Sequence, residues 1–193
     1  CFTKLTFLKM LKNDDIKKKL ETESCVSHTT AMFRKSVLDK NNIRYEKEFF
    51  PAASYRIITK TALVTKVHNL PDILLRYRMD GNNTSIKHAN QRVKARKQLR
   101  KEYVEAREAQ YIKELFDFDT VTVFHTGSQE DTRYYKAKDK NGHYFVKAGV
   151  YSYEHEFDMA KKVYEKDHRR FAKPINFQNG DVNFYVTEWT DGI

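Results

Sequence analysis

Glycine, proline and cysteine are all scarce in this sequence. Six glycines and three prolines among 193 residues are too few for a long low-complexity linker. The two cysteines, Cys1 and Cys25, have a spacing that fits neither a disulfide framework nor a zinc motif, and we expect reduced thiols of a cytosolic protein. Because no run of about 18 apolar residues occurs, the sequence predicts no membrane-spanning helix.

The composition is that of a folded protein with a strong positive charge. Hydrophobic residues make up 40% of the sequence and aromatic residues 13%, which argues against a disordered chain. The length favours one domain or two small ones, with room for a sizeable core. The net charge of +10 favours an anionic partner: a nucleic acid, an acidic lipid headgroup, or a phosphorylated sugar or nucleotide.

The two ends of the sequence suggest a piece of a longer protein. Its first residue is Cys1 rather than methionine, and the opening run CFTKLTFLKM is too charged for the apolar core of a signal peptide. The closing run Thr187–Ile193 ends without a helix or strand pattern. We therefore expect both halves of the chain to be incomplete.

The first 86 residues alternate between helix-like and strand-like patterns. Asn41-Asn42 is predicted to end a helix, because asparagine tolerates the left-handed backbone conformation. The predicted helices are Lys9–Glu21, a short helix capped by Ser36 that runs through Asp39 or Lys40, and Tyr55–Leu63. Short buried strands are predicted at Ala31–Phe33 and Ile73–Leu75, an extended segment at Tyr45–Phe50, and a turn at Asp80–Asn83.

A long helix without glycine or proline is predicted from Ile86 to about Phe116. Nine lysines or arginines and four glutamates lie between Lys87 and Glu114, so this helix carries about half of the net positive charge. These charges are those of a solvated face on a surface helix. Alternatively, the basic face is attracted to an anionic membrane surface. A nucleic-acid partner is disfavoured, because no aromatic residues are interleaved on the basic face.

After Asp117 the sequence changes to short β-branched and aromatic runs separated by turns. Asn141-Gly142, between two such runs, is a strong hairpin signal. The predicted strands are Thr120–Phe124, Tyr134–Lys138, His143–Lys147 and Asn183–Glu188, with a helix at Glu154–Lys166 and a turn at Asn179-Gly180. Three strands, a helix and a further hairpin form an α+β order.

Three spaced blocks within residues 16–86 carry a resemblance to a known family. They are His28–Ser36, PAASYRI at 51–57 and NLPDILLRYRMDGNNTS at 69–85. Together they resemble the C-terminal part of family 2 glycosyltransferases, which have the GT-A fold and use nucleotide-activated sugars. The resemblance implies sugar transfer to a glycan acceptor and a Mg²⁺ or Mn²⁺ ion bound with the nucleotide-sugar. The implied substrate-binding residues are His28, Thr30, Arg34, Tyr55 and Arg78.

Two positions depart from the family pattern. Ser54 stands where the family has its catalytic aspartate, and a serine hydroxyl cannot accept a proton as a carboxylate does. Asp80 stands where the family has a histidine near the metal ion and the diphosphate, and its carboxylate is a weak candidate ligand for the ion. The nucleotide-binding half, with its Asp-x-Asp motif, is expected before residue 1. We therefore expect this piece to be degenerate or inactive in sugar transfer.

The alternative interpretation of the three blocks is purely structural. Their arginines, Arg34, Arg76 and Arg78, would then be surface cations, and the side chains of Tyr55 and Tyr77 would only pack.

From Thr122 onward the sequence carries a second resemblance. Its elements are the turn Thr126-Gly127-Ser128, the strand Tyr144–Lys147, the helix start at Glu154–Phe157 with Glu156, and the run Val186–Gly192. Over residues 120–193 they resemble the N-terminal lobe of protein-kinase-like and aminoglycoside-phosphotransferase-like domains, with one glycine where kinases usually have two or three. The resemblance implies ATP binding by Gly127, Ser128, Lys147, Glu156, Glu188 and Trp189. The alternative to nucleotide binding is that Lys147 only ends an ordinary strand and that Glu156 is a solvated surface residue.

The predicted fold class is therefore α/β and α+β. It comprises a partial GT-A C-terminal half at 1–86, a long basic connecting helix at 87–116, and a kinase-like N-lobe at 117–193 with an antiparallel sheet plus one helix. The seven histidines show no metal-ligand spacing, and no Ser/His/Asp or Cys/His signature indicates other chemistry.

The predicted function is that of a glycosyltransferase fragment in surface polysaccharide synthesis. The predicted location is cytoplasmic, at the inner face of the membrane if the basic helix binds lipid. Phosphotransfer by the kinase-like part onto a sugar or lipid-linked glycan, or a non-catalytic docking module, are the alternatives.

Overall fold

The computed structural model describes residues 2–3, 12–72, 75, 77–78, 83–126 and 132–190. The chain divides into two units, Cys1–Ala106 and Arg107–Ile193. The boundary falls inside the long helix that the sequence predicts as a connector, so that each unit contains a part of this helix. Each unit has its own hydrophobic core.

Unit 1 consists mainly of helices. Strand β1 (Phe2–Thr3) pairs antiparallel with β2 (Tyr77–Arg78) in a two-stranded sheet. The helices are α1 (Asn13–Lys19), α2 (Lys35–Lys40), α3 (Ala53–Val64), α4 (Thr84–Lys87) and α5 (Ala89–Phe116), of which α5 continues into unit 2. Single turns of 3-10 helix lie at His28–Thr30 and Lys47–Phe49.

The core of unit 1 forms where α1, α3 and α5 present apolar residues at helical spacing. Tyr55, Ile58 and Ala62 of α3 are spaced so that they share one face of the helix, and all three are buried. They belong to one cluster with Leu99 and Tyr103 of α5 and with residues of and near α1. Burial of such side chains stabilises the fold by roughly 1.5–3 kcal/mol each, which is why α3 forms as the sequence predicts.

Three local predictions for unit 1 are wrong. Ala31–Phe33 is irregular rather than a buried strand, and Met32 is 98% exposed, because the segment follows a 3-10 turn and pairs with no strand. Helix α2 begins one residue before Ser36, with Arg34 as its N-cap. The segment Tyr45–Phe50 contains a 3-10 turn, whose bonds form locally, in place of a fully extended chain.

The end of α2 and the bounds of the early helices agree better with the sequence. Asn42 has a φ of 50°, so the predicted left-handed helix end is confirmed. The helices predicted at Lys9–Glu21 and Tyr55–Leu63 are confirmed for the described residues by α1 and α3. Most of the strand predicted at Ile73–Leu75 lies outside the described residues.

Unit 2 contains a five-stranded antiparallel sheet. Its strands are β3 (Thr120–Thr126), β4 (Thr132–Lys138), β5 (His143–Gly149), β6 (Pro174–Gln178) and β7 (Asn183–Glu188). Helix α6 (Glu154–Lys166) connects β5 to β6, and the spatial order of the strands is β3-β4-β5-β7-β6. The Asn141-Gly142 hairpin between β4 and β5 is confirmed, and Asp139 accepts backbone hydrogen bonds from both turn residues.

The two faces of this sheet pack against different helices. Val146 and Ala148 of β5 are buried in one cluster with Ile112, which lies in the C-terminal part of α5. On the opposite face Tyr185 of β7 is buried in a second cluster with Phe157 of α6. Side chains alternate along a strand, so β7 supplies Val186 to the first cluster and Tyr185 to the second.

A buried polar triad joins the end of α5 to β4 within unit 2. Arg133 donates from Nε to Glu108 Oε2 and from one terminal nitrogen to Glu108 Oε1, both at 2.5 Å. The Tyr135 hydroxyl donates to Glu108 Oε2 at 2.6 Å. Although burial alone would lower it, the hydrogen bonds and charge of Glu108 raise the pKa of Arg133. The Glu108 carboxylate is thus fully engaged by two partners of one strand.

The chain is therefore a mixed α and β protein, with the antiparallel sheet and helices expected from the sequence. None of the helices in the described part of the chain is long and apolar enough to cross a membrane.

We predict that Glu108→Ala lowers the free energy of unfolding of unit 2 by about 3 kcal/mol, because it leaves the Arg133 guanidinium buried without a counter-charge. Urea unfolding followed by the fluorescence of Trp189 measures this, since the chain has one tryptophan and it lies in unit 2. The exposed Glu114 of the same helix serves as control, and Glu114→Ala should change the value by less than about 0.5 kcal/mol. Equal midpoints for both variants would contradict the prediction.

Candidate functional site

A lysine and a glutamate from neighbouring elements of unit 2 form a two-point ion pair. The Nζ atom of Lys147, on β5, lies 2.8 Å from Oε2 and 3.1 Å from Oε1 of Glu156, on α6. The Lys147 side chain is 23% exposed and that of Glu156 is 46% exposed, so the pair lies at the surface with its lysine largely covered. Lys147 Nζ also lies 4.9 Å from the ring centroid of Tyr153.

Strand pairing and helix packing place these two side chains. Lys147 lies opposite Tyr134 of β4 and Tyr185 of β7, which directs it to the face that α6 covers. Glu156 lies in the first turn of α6, where a negative charge is favourable near the positive end of the helix dipole. The next residue, Phe157, is buried and packs against Tyr185, and so sets the rotation of the helix.

Four aromatic side chains form a surface beside this pair, here called the aromatic surface: Phe124, Tyr134, Phe145 and Trp189. Tyr134 and Phe145 are stacked with ring centroids 5.4 Å apart, and Phe124 meets Trp189 edge to face at 5.1 Å. Phe145 lies 6.4 Å from Trp189 and links the two contacts. The Nζ atom of Lys136 lies 4.2 Å from the Trp189 ring, a cation–π distance. Phe124 is 57% exposed, so part of this surface is open to solvent.

Two buried tyrosines border the ion pair and stay neutral over the physiological pH range. Burial and the nearby carboxylate of Glu156 raise the pKa of Tyr153 to about 12. The same two causes raise the pKa of Tyr185 to about 12. Glu156 thus carries the negative charge next to Lys147, and the tyrosines supply apolar walls.

The structure brings together part of the predicted nucleotide-binding set. Lys147 and Glu156 meet, and Trp189 follows β7, where its backbone N–H donates to the carbonyl of His143 at 2.9 Å. Glu188 is exposed, with its carboxylate 4.0 Å from Nζ of Lys173. Gly127 and Ser128 lie outside the described residues, so their role stays a prediction.

Sequence reasoning missed most of the aromatic surface and Lys136. Phe145 lies two residues before Lys147, and Tyr134 lies two residues before Lys136, so each pair shares one face of a strand. The hairpin turn at Asn141-Gly142 sets the register that stacks the two rings. The alternation of side chains along β4 and β5, together with the turn at Asn141-Gly142, would therefore have predicted that these residues share one face of the sheet.

The residues predicted from the glycosyltransferase resemblance are spread over unit 1. His28 Nε2 hydrogen bonds with the Tyr45 hydroxyl at 2.6 Å, and the Thr30 hydroxyl donates to the Ser27 carbonyl at 3.2 Å. Arg34 is exposed. The backbone of Arg78 pairs with Phe2 in the two-stranded sheet. Their substrate contacts stay a prediction.

The block around Ser54 is the part that the structure describes most fully. Ser54 is the second residue of α3 and is half-buried. Tyr55, predicted to contact substrate, is fully buried, and its hydroxyl donates to the carbonyl of Leu20. The helical spacing turns Tyr55 into the core, so the structure gives it a packing role. Asp80, the predicted metal ligand, lies outside the described residues, among which no three His, Cys, Asp or Glu side chains converge on a metal site.

We predict that the two neutral tyrosines make unit 2 sensitive to alkaline pH. A pKa of about 12 in the folded state, for both Tyr153 and Tyr185, exceeds the value of about 10 in the unfolded chain, so the folded state holds its protons more strongly. This stabilisation is complete below pH 10 and is lost as the pH rises from about 10 to about 12. Urea unfolding at several pH values, followed by Trp189 fluorescence, should show a shallower decline for Tyr153→Phe than for Tyr151→Phe, which removes an exposed hydroxyl. Parallel declines would be inconsistent with this assignment.

The comparisons with known proteins include a distant structural similarity. No family model matches the chain, and no curated protein matches it. Among solved structures, the crystal structure of spectinomycin phosphotransferase, APH(9)-Ia, in complex with ADP and spectinomycin, has a TM-score of 0.37 and 14% sequence identity. The match covers 44% of this chain and 29% of that chain, so this chain spans less than a third of the length of the phosphotransferase. This similarity is too distant to transfer an activity.

Proposed function

We propose that residues 117–193 bind a nucleoside triphosphate, ATP in the first instance, as the nucleotide-covering lobe of a kinase-like phosphotransferase. The observation that carries the proposal is the ion pair between Lys147 on the third strand of the sheet and Glu156 on the helix that follows. Protein kinases use a lysine and a glutamate in these two positions to hold the nucleotide phosphates.

The order of the strands supports the same proposal. Numbered within unit 2, the five strands have the spatial order 1-2-3-5-4, with α6 between the third and fourth strands. This order puts Lys147 on the central strand and β7 directly beside it. The chain leaves β7 at Glu188 and Trp189, where the sequence resemblance expects the backbone to meet the base.

The geometry of the pair leaves Lys147 able to bind phosphate. A protonated lysine has three N–H donors, and the two oxygens of Glu156 accept from at most two of them. The remaining donor and the positive charge are available for triphosphate oxygens, while Glu156 holds the side chain in place. The neutral Tyr153 and Tyr185 add no competing negative charge at this point.

The aromatic surface is suited to the base of the nucleotide. Its rings lie on the face that carries Lys147, because Tyr134 is paired with Lys147 and stacks on Phe145. Stacking of a base on aromatic side chains contributes about 1–3 kcal/mol. A nucleotide with its base near Phe124 and Trp189 and its phosphates at Lys147 would therefore use both features.

Phosphoryl transfer is the reaction class that this lobe would serve. In kinases it also requires metal-binding and catalytic-loop carboxylates, which hold Mg²⁺ and accept the proton of the acceptor hydroxyl. We propose a sugar or lipid-linked glycan as acceptor, as the resemblance in residues 1–86 suggests. Sugar transfer by residues 1–86 itself stays a prediction.

We predict that Lys147→Ala weakens ATP binding at least about tenfold, since a hydrogen bond to a charged group contributes about 1.5–3 kcal/mol. Isothermal titration of the 193-residue chain with ATP measures the affinity. Quenching of the Trp189 fluorescence by ATP reports contact with the aromatic surface. Glu156→Gln should weaken binding less than Lys147→Ala, because it keeps the lysine charge and removes only part of its support.

Lys162→Ala is the matched control, because Lys162 is an exposed lysine of α6 six residues after Glu156. Its removal changes the net charge equally, and the affinity for ATP should stay within about twofold of the parent. Absence of ATP binding by the parent, or equal binding by the parent and Lys147→Ala, would sink the proposal.

A further inference from the structure

Three arginines lie along one flank of α5 in unit 1. Arg92, Arg96 and Arg100 are spaced four residues apart, which places their side chains in one row along the helix. The row borders the buried stripe of Leu99 and Tyr103, and all three arginines are half-buried. A row of half-buried guanidinium groups requires negative charge or water nearby.

The described part of the chain supplies no carboxylate to this row. None of the three arginines forms an ion pair with a described acidic residue, and the Nε atoms of Arg96 and Arg100 are buried without a hydrogen-bond partner. Glu102, on the same helix, is engaged elsewhere: it accepts from Arg56 at 2.5 Å and from Gln98 at 3.0 Å.

The groups that act on the charge of Arg96 are the two neighbouring arginines and a neutral tyrosine. Arg96 lies over the ring of Tyr55, with its guanidinium carbon 5.7 Å from the ring centroid. Burial lowers the pKa of Arg96, and the charges of Arg92 and Arg100 lower it further, so the three groups repel one another. The hydroxyl of Tyr55 donates to the carbonyl of Leu20 and is also hydrogen bonded to the Arg100 side chain, so it is a neutral partner that carries no counter-charge. The fold therefore holds three positive charges close together, and their mutual repulsion and burial cost free energy that a bound anion would offset.

We propose that Arg92, Arg96 and Arg100 form a binding site for a diphosphate group. Guanidinium groups bind phosphate oxygens in a planar, two-point geometry, which makes arginine well suited to phosphate recognition. Four residues of α-helix rise about 6 Å, a separation that two long arginine side chains can bridge, so neighbouring arginines of the row can converge on one diphosphate. The diphosphate belongs either to a soluble molecule or to the headgroup of a membrane lipid.

Titration of the 193-residue chain with inorganic pyrophosphate tests the site directly. The parent should bind, and Arg96→Gln should weaken binding at least tenfold. Lys94→Gln removes the same charge from an exposed position of the same helix and should stay within twofold of the parent. Lys162→Ala, which removes an exposed charge from α6 of unit 2, should also stay within twofold of the parent.

A second arm distinguishes the two sources of the diphosphate. Co-sedimentation with vesicles of phosphatidylcholine, with and without a diphosphate-bearing lipid, is measured for the parent, Arg96→Gln and Lys94→Gln. Vesicle binding that requires the diphosphate lipid and is lost only in Arg96→Gln assigns the site to a lipid headgroup. Pyrophosphate binding without such vesicle binding assigns it to a soluble ligand.

Thermal melting keeps the test valid if a variant is poorly folded. Pyrophosphate should raise the melting temperature of the parent, and Arg96→Gln without ligand should melt at or above the parent temperature, because it removes a half-buried charge. Should Arg96→Gln fail to fold, Arg92→Gln takes its place with the same expected loss of binding. Equal binding of pyrophosphate and vesicles by Lys94→Gln and the arginine variants would overturn the proposal, as would no binding by the parent.

Discussion

The pairing of β5 with strands on both sides is the constraint on which the described site depends. β5 is the central strand of the sheet, and its hydrogen bonds to β4 and β7 set its register along its whole length. This register buries Val146 in one cluster and turns Lys147 towards α6. A slip by one residue would exchange the two faces and place a lysine in the core, so burial itself enforces the geometry of the ion pair.

The partly buried arginines of the chain differ in whether a carboxylate lies beside them. Arg133 of unit 2 meets Glu108 in a two-point pair that Tyr135 completes, so its charge is matched within the fold. Arg96 and Arg100 of unit 1 have no such acidic partner among the described residues. A matched charge is neutralised within the fold, whereas an unmatched, half-buried charge is what the proposed anion would neutralise.

The predictions from the sequence agree with the structure where an element depends on neighbouring residues, and they fail where it depends on contacts with distant parts of the chain. The predicted bounds of α6 and β7 are confirmed, since each has a clear period and flanking turn residues. The prediction of a strand at Ala31–Phe33 is wrong. Three apolar residues are too few to show the two-residue periodicity of a strand, and a strand also needs a pairing partner, which the local sequence does not reveal. Tyr55 was recognised within a motif, yet only helix packing showed that it faces the core.

The sequence by itself determined the periodic helices of the chain, the turn at Asn141-Gly142, and the identity of Lys147 and Glu156 as candidate partners, because these signals lie in neighbouring residues. The tertiary structure alone decided the aromatic surface and the link from Glu108 to Arg133, 25 residues apart. It also decided which arginines of α5 lack a counter-charge. Contacts of this kind depend on strand register and helix rotation, and these are set by the burial of the whole unit rather than by any short segment.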